Sequence, residues 1–592
     1  MAGSVCRPGN RIYLTAPGLF AMPAPRSPSP TNRRHSPGAR REAAEAAWFG
    51  KLAPWLLFLL TFVMCCFPLR DFDFWWHVRT GQLILERGAV PYVDWYTYLD
   101  SEQPWIDMHW GFQLLMVATF SLLGVAGVIL VKAAFYTASV LIGWAATGQG
   151  LPAFRKVLIW LPAVIAITGR AYERPEMLSV LFLAVALLLT EKSRVSHNWV
   201  WAWPALILLW VNCHALYILG CVVWLAFVVE QMAARVWQHR SSGAPPAGQS
   251  TLSPGRLALV TGMIIAAALI NPWTVDGLRF PWVLYRKFSV ENDFYGVRVG
   301  EFQAPIRFVQ QQVDRHGMTV GLIVALRNLY FTAELAVFLI GALSFIGPLR
   351  RGRLRIDRLL LFAGFSHLAW VATRNTSVFS LVAAVVACGN QCDGLLTDET
   401  RTKQLHDGSV FWNQLATLSL SLLLVLFVSG EWGHFVEPWK VFGLREAKHW
   451  FGHEAARFCG RPGMPDRAYV AHFGLAGPFI FHNGPQKKLF MDPRLEVCSR
   501  QTFEKYEQVG RMITQGIPGW EQIVNPDNTE MPVMVLDSRY SRGEINGLLA
   551  TPAWRLVFAD PAAAVFVETT RADALGLPPA DINVMAQAQF EE

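Results

Sequence analysis

Two acids stand two residues apart in Leu69–Gly81 (LRDFDFWWHVRTG), followed by a tryptophan pair, a histidine and an arginine. Residues i and i+2 share one face of an extended chain and diverge on a helix. On an extended segment, Asp71 and Asp73 could share a sugar hydroxyl or a hard divalent cation such as Mg or Mn. If a helix begins early, one of the two serves as an N-cap, a frequent place for Asp, and at most one remains for acid–base work. The following WWHVRTGQLILERG is amphipathic enough to lie along a membrane interface, with Trp75 and Trp76 as anchors.

Further candidates lie along the chain. In RAYERPEM, Arg170 and Arg174 suit a phosphate, because a guanidinium donates forked hydrogen bonds. Glu173 and Glu176 could pair with them instead and leave a neutral turn at a Pro-led helix start. His214, in WVNCHALY, sits between two apolar runs, where a single histidine is usually a hydrogen-bonded structural residue. His77 and His109 carry the same reading, and three scattered histidines do not make a zinc spacing. Arg374, in TRN, separates two apolar runs; at membrane depth it needs a partner, an aqueous site, a lipid phosphate or a route to the headgroups. Near the C-terminus, Asp492 and Arg494 follow a strand-like run, either at the ligand-binding end of a sheet or as an ion pair closing a turn. There is no GxGxxG, P-loop or GxSxG, so neither a nucleotide site nor a serine nucleophile is indicated. The nine cysteines form no CxxC. Cys459 and Cys498 read as two free thiols or as a disulfide if their region is extracytoplasmic.

The elements that must position these residues are apolar. Of 592 residues, 53% are hydrophobic and 16% charged, against about 25% charged in soluble chains. The apolar residues come in dense runs, as in a polytopic membrane protein. A formal charge of +8 fits a positive-inside bias, and no basic stripe with interleaved aromatics suggests a nucleic-acid partner. Residues 1–47 read as a disordered basic cytoplasmic tail. Eleven apolar segments follow between 54 and 429. The segment 109–148 is too long for one span and divides at Gly124 and Gly127. Counting it as one crossing puts the basic clusters at 155–156, 192–194, 235–256 and 349–358 on the cytoplasmic side; only the slightly acidic 391–406 runs against this. About eleven spans result. RDFDFWWH, RAYERPEM, VNCHALY, INPW, VGEFQAP and TRN then all meet at the extracytoplasmic face. The expected organisation is a transmembrane domain over 48–430, with extracytoplasmic loops at 69–108 and 273–332. From 431 to 592 the composition is soluble. RAYVAHF, KKLFMD, PVMVLD, WRLVFAD and AAVFVE read as strands, and REAKHWFGHEAARF and RQTFEKYEQVGRMI as helices, giving a small extracytoplasmic α/β domain.

The run DFDFWWHVRTGQLILERGAVPYVDWYTY, then PWIDMHW, resembles the first extracytoplasmic loop of polytopic GT-C-type glycosyltransferases, the dolichyl-phosphate-mannose mannosyltransferase-like enzymes among them. It is most similar to a bacterial group with the loop D-x-D-x-W-W-H-x-x-x-G…G-x-V-P-x-x-D-x-x-(S/T)-Y. Asp71, Asp73, Trp75, Trp76, His77, Gly81, Gly88, Pro91, Asp94 and Tyr98 match it. ERPEMLSVLF, WVNCHALYILG, INPW, EFQAP and TRN resemble later motifs of that group, in order, and AGPFIFHNGPQKKLFMDPR resembles its tail segment. The chain departs from the pattern at Met108-His109 (usually His-Glu), Ala215 (usually Gly) and Pro493 (usually Gly).

The resemblance, over about residues 55–570, implies a mainly α, GT-C-like helical bundle with a C-terminal α/β domain. It implies a bacterial inner-membrane enzyme that transfers a sugar from a polyprenyl-phosphate donor to an envelope glycan, lipid or protein. Asp71 or Asp73 would be the general base, with Mg or Mn as a candidate ion on the same pair. Arg170, Arg174, His214 and Arg374 would bind the donor phosphate. Trp75, Trp76, Trp105 and Trp110 would stack on sugar or lipid, and His77 and His109 are further candidates. A non-catalytic scaffold or glycan-binding protein of the same fold is the alternative. A transporter is less favoured, since Lys132 is the only basic residue deep in an apolar run and no internal repeat is visible.

Overall fold

The computed structural model describes residues 37–99, 103–148, 150–240, 251–395 and 409–589. Its first helix, α1 (Pro37–Met64), begins inside the stretch read as a tail; residues 1–36 lie outside the described residues. There follow α2 (Phe74–Arg87), α3 (Trp110–Ala146), α4 (Ala153–Thr168), α5 (Glu176–Val195), α6 (Trp203–Val211), α7 (Tyr217–Arg240), α8 (Pro254–Leu269) and α9 (Thr274–Val290). Later helices include Leu329–Ser344, Ile356–Val371, Thr376–Leu395 and Ser409–Val428. One apolar core runs through this bundle, and α3 packs along α2 and α5.

Among the described residues, four helices are long and apolar enough to cross a membrane: Trp110–Ala146, Tyr217–Trp237, Leu329–Arg350 and Val410–Val428. The α8–α9 pair makes a fifth if counted together across its 94° bend. The count of about eleven is not reached by that measure. Several of the expected spans are shorter or more charged helices; α4 has 16 residues, and α5 ends in Lys192 and Arg194. The 37 residues of α3 would extend about 55 Å, well beyond a hydrocarbon core of about 30 Å. The helix breaks at Gly124 (φ 63°, ψ −162°), a backbone state that only glycine adopts readily.

The C-terminal third carries one five-stranded sheet: β1 (Arg467–Val470), β2 (Lys488–Leu489), β3 (Val533–Asp537), β4 (Trp554–Ala559) and β5 (Ala563–Glu568). All five strand-like runs are strands. The order is β2-β1-β3-β5-β4, with β1 parallel to β2 and β3, and β5 antiparallel to β3 and β4. The helix Arg500–Gln515 forms as read, capped by the Ser499 hydroxyl. REAKHWFGHEAARF is helical only over His453–Cys459, because the chain turns at His449 (φ 55°) and sends Trp450 against Phe72, the two rings stacked 5.5 Å apart. Cys459 and Cys498 are buried and pack in different apolar clusters rather than against each other.

The first loop is tied to this sheet. Thr97 bridges to Leu489, Leu69 bridges to Glu446, and Arg79 Nε donates to the Gly484 carbonyl at 2.8 Å. Gly477 lies so close to Phe72 that a Cβ there would come within 2.4 Å of the Phe72 carbonyl oxygen. Arg494, fully buried, donates through Nη2 to Asp94 and Asp492 at 2.5 Å each and lies 4.2 Å from the Trp105 ring. Asp492-Pro493-Arg494 is thus an ion pair closing a turn, extended by a third partner 400 residues away. Burial works against ionisation of Asp94, but the Arg494 charge and the Thr97 hydroxyl outweigh it and hold its carboxyl below the usual range.

Candidate functional site

α2 starts at Phe74, so Asp73 occupies the N-cap position, yet its carboxylate caps nothing. It accepts from Trp76 Nε1 at 3.1 Å instead. Asp71 turns back on the chain, and its Oδ1 accepts the Asp73 amide at 2.8 Å. Neither the extended reading nor the simple cap holds. The two carboxylates converge on one guanidinium: Arg174 Nε lies 2.5 Å from Asp71 Oδ2, and its Nη2 lies 3.2 Å from Asp73 Oδ2.

The other side of Arg174 meets Glu301, at 2.8 Å. Glu301 also takes Arg170 at 3.1 Å and Arg374 at 4.0 Å. Three arginines from two distant motifs therefore gather on one acid. The three-residue turn Gly300–Phe302 that carries it is held from TRN, whose Thr373 amide donates to the Gln303 carbonyl at 3.0 Å. Glu301 is not among the candidate residues that the sequence suggests; its only sequence signal is the motif VGEFQAP. Glu173 turns away from the arginines and pairs with Lys132 at 2.6 Å, both side chains fully buried. Glu176 forms no direct salt bridge with them among the described residues, yet its charge acts on Arg170 more strongly than that of Glu301.

Arg70, Asp71, Phe72, Arg170, Tyr172, Arg174, Glu301, Trp439 and Trp450 line an open cleft of about 280 Å³. Its aromatic wall is not the one expected. Trp75, Trp76 and Trp105 are 4%, 3% and 0% exposed and packed into apolar clusters, so they offer no face to a sugar. Trp110 is half-buried and donates to Asn212 Oδ1 at 3.1 Å. Tyr172, Trp439 and Trp450 line the cleft instead. Lys440, from PWKVFG, was also missed: it lies buried behind Trp439 and Tyr172, paired to Glu437 at 3.1 Å and donating to the Gly169 carbonyl at 2.5 Å. Burial pushes its pKa down to about 8.

The histidines form a separate row. The His77 and His109 rings are 5.5 Å apart, and those of His109 and His214 are 5.4 Å apart. His214 Nδ1 is 2.7 Å from Ser179 Oγ, which also accepts from Trp210, so this histidine is a packed hydrogen-bonding residue rather than a partner of the three arginines. His109 faces Asp107, its Nδ1 3.3 Å from Asp107 Oδ1. Burial alone would lower its pKa, but Asp107 outweighs this and holds it above the ordinary value.

Asp73 sits in an unusual electrostatic setting. Burial, offset in part by Arg174 and reinforced by Asp71, raises the Asp73 carboxyl to about 7. The Asp73 side chain is also the more accessible, 20% exposed against 2% for Asp71. Asp73 can therefore exchange a proton near neutrality, while Asp71 fixes Arg174 and the turn. Glu301 goes the other way: burial would raise it, but Arg174, Arg374 and Arg170 together hold it far below the usual carboxylate range.

The pair does not fit Mg or Mn as it stands. The space between the carboxylates is filled by Arg174, and a hard cation there would face a guanidinium. Among the described residues, no group of three or more His, Cys, Asp or Glu side chains is gathered for a metal.

No family model and no curated protein matches the chain. Among solved structures, the chain is similar to the oligosaccharyltransferase of Archaeoglobus fulgidus in its apo form, at 13% identity and a TM-score of 0.49 over 86% of this chain and 70% of that one. The same enzyme tethered by a disulfide to an acceptor peptide with the NVT sequon gives 11% identity and a TM-score of 0.49 over 92% and 78%. ArnT from Cupriavidus metallidurans bound to undecaprenyl phosphate gives 11% and 0.45 over 88% and 97%. Likeness at this level assigns neither substrate nor activity.

Proposed function

We propose that this chain is an integral-membrane glycosyltransferase. It moves a sugar from a polyprenyl-phosphate donor to a hydroxyl of an envelope glycan, lipid or protein at the extracytoplasmic face of the bacterial inner membrane. The observation that carries the reading is a juxtaposition: a carboxyl poised near neutral pH, Asp73, lies within one ion-pair network with three arginines. Base and phosphate site are what such a transfer needs side by side. Asp73 takes the proton of the acceptor hydroxyl as its oxygen bonds to the anomeric carbon. The bond from that carbon to the phosphate oxygen breaks, and the lipid phosphate leaves with charge that Arg170, Arg174 and Arg374 receive. An apolar groove of about 370 Å³, lined by Pro305, Phe331, Phe338, Trp370 and Phe379 among others, lies close in sequence to both Glu301 and Arg374 and suits the lipid chain.

The test is transfer from labelled polyprenyl-phosphate sugars to envelope fractions by the purified protein. Binding of the donor with no turnover by wild type overturns the enzyme reading in favour of a non-catalytic scaffold. Because Arg174 stands between the acids, the rate is expected to stay within about twofold after EDTA treatment, with no gain from added Mg or Mn. A rate restored only by metal shows that Arg174 leaves Asp71 during turnover.

A further inference from the structure

The ion-pair network contains three guanidinium groups (Arg170, Arg174, Arg374) and three carboxylates (Asp71, Asp73, Glu301). Their formal charges balance when all three acids are ionised, and the nearby Glu176 carboxyl also acts on Arg170. A phosphate entering the network in that state finds no uncompensated positive charge unless one carboxylate gives way. Asp71 cannot easily do so: its side chain is 2% exposed, and it holds both Arg174 and the Asp73 amide. Asp73 touches only one of the arginines. Glu301 accepts hydrogen bonds from Arg170 and Arg174, lies 4.0 Å from Arg374 and is 23% exposed. It rides on a three-residue turn rather than inside a long helix. A single carboxylate that meets three arginines does what a bound phosphate would do, and like charges exclude each other from one site.

We propose that Glu301 is an internal stand-in for the donor phosphate: it keeps Arg170, Arg174 and Arg374 gathered while the site is empty, and the phosphate displaces it on binding. This rests on the reading of the three arginines as the donor-phosphate site. It makes Glu301 a positioning residue with two opposed effects, pre-ordering the arginines and competing with the anion they bind. Because the arginines hold its carboxyl far below the usual range, Glu301 is fully ionised at neutral pH, and the competition does not fade in mildly acidic buffer.

The probe is farnesyl phosphate, a short water-dispersible polyprenyl phosphate, with farnesol as its uncharged counterpart. Binding to the purified full chain is measured by calorimetry for wild type, Glu301→Gln and Arg374→Gln. Glu301→Gln keeps the shape and hydrogen-bonding reach of the side chain and removes its charge. It is expected to bind farnesyl phosphate about tenfold more tightly than wild type, with farnesol unchanged. Arg374→Gln is expected to weaken farnesyl phosphate binding. If Glu301→Gln leaves phosphate binding unchanged or weakens it while Arg374→Gln weakens it, the stand-in role is overturned and the phosphate site stands. If Arg374→Gln, and Arg170→Gln or Arg174→Gln made alongside it, leave binding at the wild-type level, the phosphate site itself is overturned, and the stand-in role with it.

Discussion

On the proposed function, Asp73→Asn is expected to lower the rate of sugar transfer by about 10²- to 10⁴-fold while the donor lipid remains bound, the loss expected when a general base is removed. The substitution is nearly isosteric, and Trp76 Nε1 can still donate to the amide oxygen, so the start of α2 should keep its shape. Its specific signature lies in the pH profile. A base acts only when deprotonated, and burial raises Asp73 to about 7. In wild type the rate should therefore fall as pH drops below about 7 and level off above it. The residual rate of Asp73→Asn should lack that limb. Asp71→Asn should behave differently: it releases Arg174, so weakened donor binding accompanies the loss of rate. Steady-state kinetics across pH 5.5–9, with donor binding measured separately, distinguish the two. A wild-type profile that is flat between pH 5.5 and 8 removes Asp73 from the role of base.

Arg494→Met destabilises the protein by about 3–5 kcal/mol, the cost typical of breaking a buried charge cluster by removing one partner. Both acids it leaves behind, Asp94 and Asp492, are 2% exposed or less and lose their shared counter-charge. The damage should be local before it is global. Hydrogen exchange should rise first at 94–98 and 489–494, where the loop bridges to β2 through Thr97 and Leu489. The double variant Arg494→Met with Asp94→Asn should recover part of the loss, since one stranded charge is gone. A melting temperature unchanged by Arg494→Met contradicts this account of the cluster. Donor binding separates this effect from the chemistry, because Arg170, Arg174 and Arg374 do not touch Arg494.

Four of the five strands were readable because each is a short run rich in β-branched or aromatic residues between turn residues, and local pattern suffices for that; β2 is only Lys488–Leu489, within a run whose Phe490 carries the signal. The meeting of Asp71, Arg174 and Arg374 was readable from charge-sorted loops, since each motif sits at the end of an apolar run. Glu301 was not, because its importance lies in three partners from other segments, and nothing in Gly-Glu-Phe signals them. The tryptophans misled for a related reason. Trp75 and Trp76 look like anchors beside an amphipathic helix, but a covering domain cannot be seen from the sequence around them. The helix Phe473–Asn483 and its neighbours bury both rings, and Trp450, from a segment expected to be helical, faces the cleft in their place. Fewer helices than the expected spans are long and apolar enough by themselves to cross a membrane, because several carry charges at their ends or are short.

Arg79 reaches Gly484 across 405 positions, and Asp94 reaches Arg494 across 400. Such separations set an order of events during synthesis. The loop that carries Asp71 and Asp73 emerges some 400 residues before the groups that seat it. Non-local contacts of this kind form late and slowly. Until then the acids lack their cover, and the cleft lacks Trp439 and Trp450 as walls. A nascent chain that stops short of these residues therefore has its two acids but not the walls of the cleft beside them.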